Sequence, residues 1–205
     1  MSCCPTISQA ITLWQESLDG VIKTDSQKIQ MEYIFHTTGV AESAYKIAQK
    51  CALNAEKAYV LGLLHDYGKI QNEKYTGKAH FMVGYNKMME VGFSDVAKIC
   101  LSHSFPIKDF LFSDYISYNI EDLTAAKTIL STQDYDDYDR LIQLCDMFFE
   151  GMYKVSYETR IEGICKRYNL KEEHVRSIKK GAIINKEYFD NLCGCNIYDL
   201  LNIRY

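Results

Sequence analysis

The sequence contains very little proline, with only Pro5 and Pro106 among its 205 residues. Proline interrupts a helix because it removes a backbone donor and clashes with the preceding turn, so this scarcity permits long helices. The chain also lacks the alternation of apolar and polar residues that half-buried strands show, and its apolar residues recur instead at helical spacing. These features predict an all-α fold, a single-domain bundle of roughly seven to ten helices.

The sequence has neither an excess of positive charge nor a long apolar segment. Its formal net charge of -4 argues against a broad basic surface, and therefore against polymeric nucleic acid as a partner. No segment approaches the roughly 20 apolar residues of a membrane-spanning helix, so we expect no membrane partner. The first residues form no secretory signal, which favours a cytoplasmic protein. The composition leaves the oligomeric state open.

Cysteine, by contrast, is abundant, and the placement of the eight residues decides how they are interpreted. Four of them fall within helical patterns: Cys51, Cys100, Cys145 and Cys165. A reduced thiol in such a position packs as a small hydrophobic group. Cys193 and Cys195 are separated by one residue, an unusual spacing for zinc that would require further ligands elsewhere. Without a secretory signal, we expect all eight cysteines to be reduced, as in a cytosolic protein.

The helical periodicity divides the chain into segments that position its histidines and aspartates. Residues 55–64 are apolar on nearly every side, which predicts a buried central helix that ends at His65 and Asp66. Residues 71–78 predict a loop, and the aromatic and acidic residues 107–137 predict one or two short helices with loops. A first helix is expected to end at Gly20, and a second carries His36 near its start. A further helix is expected to run from His80 to Gly92, and others begin at Ser94 and at Tyr138. The last two cover residues 156–168 and 171–184.

The most informative feature is the distribution of histidine. The chain has five histidines, and four of them form one ordered series with two aspartates: His36, His65-Asp66, His80, His103 and Asp146. Imidazole nitrogens and carboxylate oxygens are the usual ligands of Zn, Fe and Mn in hydrolysis and oxygen chemistry. The fifth, His174, belongs to a charged segment and is expected to face solvent.

Two members of this series lie on apolar helix faces, where a polar side chain is buried only if it has a partner. Asp146 shares a face with Leu141 and Cys145, and burying a carboxylate is costly unless it is paired or bound to a cation. Taken alone, it would be interpreted as a helix cap or as an ion-pair partner of Arg140 or Lys69. His103 alone would be a core histidine. Together with the other members of the series, metal ligation is the better interpretation.

The series and the segment Gly62-Leu63-Leu64-His65-Asp66-Tyr67-Gly68-Lys69 resemble the HD superfamily of metal-dependent phosphohydrolases, over roughly residues 30–160. The resemblance implies an HD-type bundle with its core at 30–160 and C-terminal helices 161–205 packed on it, all within one domain, 1–205. It implies two divalent ions, Fe or Mn, with Zn as a further candidate. The first ion would be held by His36, His65, Asp66 and Asp146, and the second by His80, His103 and the bridging Asp66. Lys69 resembles the family lysine that contacts the phosphate, so Asp66 and Lys69 are the expected catalytic residues.

The implied function is metal-dependent hydrolysis of a nucleotide or other small phosphoester. The spacing is similar to that of small bacterial enzymes that split diadenosine tetraphosphate symmetrically, except for a long interval between His103 and Asp146. Aromatic residues in this interval, within residues 107–138, are expected to contact a base. Two other functions stay open, an HD-fold di-iron oxygenase and a regulatory HD protein with little turnover. Arg140 and Arg160 are weaker candidates for an anionic substrate, because lone arginines are more often surface residues.

Overall fold

The computed structural model describes residues 3–71, 76–115, 117–171 and 175–204. Part of the predicted loop, residues 72–75, and His174 lie outside these described residues. The described part contains ten α-helices and one short β-hairpin, which confirms the all-α prediction. The elements are α1 (Ile7–Thr24), α2 (Gln27–Lys50), α3 (Ala55–Leu64), α4 (His80–Glu90), α5 (Ser94–Ser102), α6 (Ile120–Ser131), α7 (Asp137–Asp146), β1 (Phe149–Glu150), β2 (Tyr153–Lys154), α8 (Tyr157–Tyr168), α9 (Arg176–Cys193) and α10 (Ile197–Leu201), with 3-10 turns at Tyr67–Ile70 and Phe112–Tyr115.

The centre of the fold is the packing of α3 against α2. The side chain of Asn54 caps α3 by accepting a hydrogen bond from the Lys57 amide, and most of the helix that follows is buried. The two backbones approach closely at Gly62, where an added Cβ would lie 2.8 Å from the Cα of Ala41. The predicted central helix is therefore confirmed, and this contact brings His36 of α2 beside the end of α3.

Most of the helices share one apolar cluster. It joins residues of α2, α3 and α7 to the C-terminal helices, which contribute Phe189, Ile197 and Leu201. The sequence-based expectation that Gly20 ends the first helix is wrong. The helix α1 continues to Thr24, and Gly20 instead provides room for Ile70, whose Cγ1 would lie 2.4 Å from a Cβ at that position.

The structure also corrects the prediction that every cysteine is reduced. Cys51, at the end of α2, forms a disulfide with Cys193, the last residue of α9. These residues are 142 positions apart, so local spacing gave no sign that the two helix ends meet. The described part contains no other disulfide. The expectation of reduced thiols followed from the cytosolic interpretation of the sequence, and this pair is an exception to that expectation.

A second, smaller apolar cluster is built by residues 107–138 and the neighbouring ends of α4 and α5. Phe105 and Phe110 stack with ring centroids 4.4 Å apart, and Phe81 meets Phe105 edge to face. Helix α6 covers this cluster with Leu123 and Leu130. The predicted short helices are thus the 3-10 turn Phe112–Tyr115 and the twelve-residue α6. Among the described residues, no helix is both long and apolar enough to cross a membrane.

Replacing Gly68 by alanine is expected to destabilise the protein by about 3 kcal/mol, at the upper end of overpacking effects. Gly68 lies in the 3-10 turn after Asp66, where an added Cβ would be 1.8 Å from the carbonyl oxygen of His80 and 2.8 Å from the amide nitrogen of Gly84. Both neighbours are backbone atoms and cannot move independently of α4. Urea unfolding followed by circular dichroism measures the effect, and an unchanged midpoint would contradict this close packing.

Candidate metal centre

All six predicted ligands converge, and most of them are positioned by helix ends. His65 and His103 directly follow α3 and α5, His80 is the first residue of α4, and Asp146 is the last of α7. His36 lies within α2, away from its start, because α2 begins at Gln27 rather than shortly before His36 as the apolar pattern indicated. Helix ends hold these side chains at defined positions around one point.

Two histidines and two aspartates form the first half of the cluster. His36 Nε2 lies 3.1 Å from His65 Nε2 and 3.0 Å from Asp146 Oδ1. Both imidazole nitrogens are 3.4 Å from the same atom, Asp66 Oδ2. His65 Nε2 and Asp146 Oδ1 are 3.8 Å apart. Four donor atoms from three helices and the Asp66 turn therefore surround one small volume.

The second half uses the other oxygen of the same aspartate. Asp66 Oδ1 is 3.5 Å from His80 Nε2 and 3.6 Å from His103 Nε2, and these two nitrogens are 3.2 Å apart. His36, His65 and Asp66 form one buried group suited to a metal ion, and Asp66, His80 and His103 form another. The carboxylate of Asp66 thus faces both groups, with one oxygen toward each.

Backbone carbonyls fix the orientation of two imidazole rings. His65 Nδ1 lies 2.7 Å from the carbonyl oxygen of Gly62, and His103 Nδ1 lies 3.1 Å from that of Ile99. Because a carbonyl only accepts, Nδ1 of each ring must donate. In the neutral ring this leaves the Nε2 lone pair directed at the cluster, which is how a second hydrogen bond prepares a histidine to bind metal.

The donor set fits a divalent cation on its own chemistry. Burial lowers the pKa of His65 to about 3, although Asp66 opposes this shift, so the ring is neutral at neutral pH. Its Nε2 then lies 3.4 Å from Asp66 Oδ2, and both of these atoms are hydrogen-bond acceptors. A cation between or beside two buried acceptors at that distance stabilises both of them. Donors held about 2.1 Å from a metal ion lie roughly 3 to 3.5 Å apart, which agrees with most of these distances.

Both carboxylates of the cluster are ionised. Burial would raise the pKa of Asp66, but Lys69 and His65 outweigh it and hold this pKa well below the usual value. Burial also acts to raise the pKa of Asp146, and a hydrogen bond from His36 and the charges around it lower this pKa. The centre therefore presents two negative charges to a cation at neutral pH.

Lys69 lies at the edge of this cluster. Its Nζ is 2.5 Å from Asp66 Oδ2, and its side chain is 43 % exposed. Burial would lower the pKa of Lys69, but Asp66 raises it above the usual value, so the ammonium remains charged. Arg140, the other suggested partner of Asp146, lies elsewhere, with its guanidinium 5.5 Å from the ring centroid of Tyr188.

A buried polar network holds the end of α5, which precedes His103. Ser102 donates to Asp139 Oδ1 at 2.7 Å, and Gln143 donates to the carbonyl oxygen of Ser102 at 3.0 Å. Asn185 of α9 then donates to Gln143 at 3.0 Å. Buried networks of this kind rigidify a site when their members are satisfied. The sequence pattern gave no indication of this network, because its members come from three separate helices.

Two cavities open onto the cluster. One, of about 380 Å³, is lined by His36, Lys69 and residues of α1 and α2. The other, of about 190 Å³, is lined by Asp66, His80, His103, Asp146 and several side chains of the aromatic segment and of α9. Both cavities share four residues: Lys69, Arg160, Arg167 and Tyr168. Sequence reasoning ranked Arg160 low and missed Arg167 and Tyr168, although the seven-residue spacing of the arginines on one helix was an available signal.

The comparison with known families agrees with this geometry. The HD domain family model matches residues 33–148, which include all six cluster residues and Lys69. The chain therefore belongs to the HD domain family, most of whose members are metal-dependent hydrolases. No curated protein and no solved structure gives a significant match. The match ends at residue 148, so both hairpin strands and α8 lie outside it.

Proposed function

We propose that the protein is a metal-dependent phosphohydrolase that cleaves a nucleotide or other small phosphoester at a dinuclear centre. The observation that carries the proposal is the position of Asp66, whose two oxygens face separate histidine pairs at 3.4 to 3.6 Å. A carboxylate shared in this way is suited to hold two cations a few ångströms apart, the spacing that two-metal hydrolases use.

The proposed ligand assignment follows the geometry. His36, His65, Asp66 and Asp146 would hold the first cation, and His80, His103 and Asp66 the second. Bound there, two divalent cations supply Lewis-acid stabilisation of phosphoryl oxygens and activation of water at neutral pH. We propose Fe or Mn as these ions, with Zn as a further candidate, because all three accept imidazole and carboxylate ligands.

The residues of the chain would orient the substrate and stabilise its charge. Lys69 Nζ lies beside Asp66 Oδ2 and lines both cavities, so it can donate to a phosphoryl oxygen placed at the cluster. Such a donor, positioned where negative charge develops, stabilises the transition state without reorganising. The burial of the histidines excludes bulk water, which strengthens these electrostatic interactions.

The substrate we propose is a nucleotide or dinucleotide polyphosphate, as in the small HD hydrolases of diadenosine tetraphosphate. The larger cavity, about 380 Å³, is within the range of small-molecule sites. In the smaller cavity, Tyr115 and Tyr118 line the wall, and the Tyr118 ring centroid is 6.1 Å from that of His80. These rings come from the aromatic segment and would contact a base.

We expect the metal-loaded protein to release phosphate from nucleotides under argon and to remain active with Mn in place of Fe. The test purifies the chain anaerobically, measures its metal content and screens nucleotides, dinucleotide polyphosphates and other phosphoesters for release of phosphate or of a nucleoside phosphate, with and without dioxygen. Turnover that requires dioxygen would replace the hydrolase with the di-iron oxygenase. Stoichiometric metal without turnover on any phosphoester would favour a regulatory HD protein instead.

A further inference from the structure

We propose that Arg160 and Arg167 form a binding site for a second phosphate of the substrate, beyond the one held at the metal centre. We call these two residues the α8 arginine pair. This inference rests on the proposed function, and it adds a preference for substrates with linked phosphates over simple monoesters. The pair lies outside the segment that matches the HD domain family, so the family match says nothing about it.

A single carboxylate holds the α8 arginine pair together. Arg160 Nη1 donates to Glu150 Oε2 at 2.6 Å, and Arg167 Nη2 donates to Glu150 Oε1. The arginines are seven residues apart, two helical turns, so their side chains leave the same face of α8. Burial would raise the pKa of Glu150, but the two guanidinium groups outweigh it and lower this pKa. Glu150 thus stays ionised between two fixed cations.

The helix provides space for this arrangement at Gly163, midway between the arginines. A Cβ at Gly163 would lie 2.7 Å from Glu150 Cδ and 2.8 Å from each carboxylate oxygen. Only a residue without a side chain allows the carboxylate to lie against the helix at that point. The hairpin that carries Glu150 turns at Gly151, whose φ of +59° suits a tight turn. The backbone therefore places the carboxylate between the two arginines.

The α8 arginine pair carries more charge than Glu150 balances. Two guanidinium groups meet one carboxylate, so these three side chains together carry one net positive charge, with Asp25 and Glu32 elsewhere on the wall of the larger cavity. Arg160 has five N–H groups, and its buried Nε has no acceptor among the described residues. A guanidinium can keep one carboxylate while donating to another oxyanion, because its donors form a fork. The wall is therefore suited to an additional anion without loss of the Glu150 contact.

This charge faces the same cavities as the metal centre. Arg160 and Arg167 line both cavities together with Lys69, and Asp66 and Asp146 of the cluster line the smaller one with them. An anion at the α8 arginine pair and a phosphate at the cluster would then occupy one continuous space. Lys69 is the cation next to the cluster, at 2.5 Å from Asp66, so the pair is left to bind the next phosphate along a chain.

A purely structural role makes a different prediction. If the arginines only attach the hairpin to α8, then Glu150→Gln, which weakens both contacts, should have at least as large an effect as Arg160→Gln, which removes one of them. If the arginines bind a phosphate, Glu150→Gln removes only a competing negative charge and leaves the cations in place. These two variants therefore separate the alternatives.

The test measures binding of inorganic tripolyphosphate and orthophosphate by calorimetry, on metal-free and Mn-loaded full-length protein. We expect Arg160→Gln and Arg167→Gln each to weaken tripolyphosphate binding about tenfold or more, the loss expected for one charge-assisted hydrogen bond. Orthophosphate binding to the Mn-loaded protein should change less than twofold. Glu150→Gln should bind tripolyphosphate at least as tightly as the wild type. Lys166→Gln removes an exposed cation from the same helix and is the matched control, expected to bind as the wild type.

Several outcomes would overturn the inference. Unchanged tripolyphosphate binding in both arginine variants would exclude the phosphate site. A loss in Glu150→Gln as large as in Arg160→Gln would assign the arginines to structural bridging. An equal loss of tripolyphosphate binding in Lys166→Gln would show that the binding depends on the overall positive charge of α8 and not on the α8 arginine pair. Binding of tripolyphosphate to the metal-free protein does not depend on catalysis. A protein that releases no phosphate would therefore contradict the proposed function, while the binding measurement would still test the α8 arginine pair.

Discussion

Replacing Asp66 by alanine is expected to abolish binding at both metal sites and to reduce phosphate release to background. Among the described residues, the change removes the one whose oxygens face both histidine pairs, with Oδ2 toward His36 and His65 and Oδ1 toward His80 and His103. The metal content should therefore fall from about two ions per chain to none, since a two-metal site depends on its bridging group. Elemental analysis after gel filtration measures this loss.

The controls for Asp66 distinguish a lost ligand from a lost fold. Asp134→Ala removes a carboxylate from a fully exposed side chain and should retain both ions. Asp66→Asn keeps the size of the side chain and should also lose metal, while its circular dichroism spectrum stays helical. His80→Ala should empty only the second site and leave about one ion per chain. Full metal content in the folded Asp66→Asn protein would disprove the bridging role.

Replacing Lys69 by alanine is expected to leave the metal content unchanged and to reduce the rate of phosphate release by about 10²–10³, which corresponds to roughly 3–4 kcal/mol of transition-state stabilisation. The ammonium lies 2.5 Å from Asp66 Oδ2 and lines both cavities, so it is placed to reach a phosphoryl oxygen but is not a metal ligand. Because the stabilised charge develops in the transition state, the loss should appear in kcat more than in KM.

Lys87 offers a matched control for this variant. It forms an ion pair with Glu90 at 3.6 Å, three residues away, as Lys69 does with Asp66, but Glu90 is largely exposed and belongs to the far end of α4. Lys87→Ala should therefore keep full activity. A Lys69→Ala protein that hydrolyses its best phosphoester at the wild-type rate would show that Lys69 serves only to balance the charge of Asp66.

The side chains that cluster in the fold could be predicted from the sequence more accurately than the residues at which the helices begin and end. Helical periodicity identified the central helix, and the order of histidines and aspartates selected six side chains that the structure brings together. Their assignment as metal ligands remains a prediction. Periodicity reports which face of a helix is apolar, but it says little about where the helix begins, so α2 starts well before the expected position.

Features that depend on contacts between distant segments could not be predicted in the same way. Arg160 resembled a surface residue and Arg167 was missed, because Glu150 and Gly163 give them a role only after the hairpin folds onto α8. The Cys51–Cys193 disulfide joins two helix ends that are 142 residues apart in the sequence and meet only in the folded protein. Gly20 was interpreted as a helix end from its local conformational freedom, whereas the space for Ile70 is a tertiary requirement.

The two apolar clusters pack against different histidines of the metal centre. The ring of His36 meets Phe149 of the larger cluster edge-on, and His65 follows Leu64 of the same cluster. The ring of His80 instead packs against Phe81 of the smaller cluster, which residues 107–138 complete.

Asp66 connects these two halves through its carboxylate, and the rings of His65 and His103 also meet edge to face, with centroids 5.0 Å apart. Local opening of the smaller cluster would release His80 while His36 and His65 stay in place, because regions of a protein open in separate cooperative units. The centre can therefore lose order in steps rather than all at once. Changes within residues 107–138 would then adjust one half of the chemistry while the other half remains rigid.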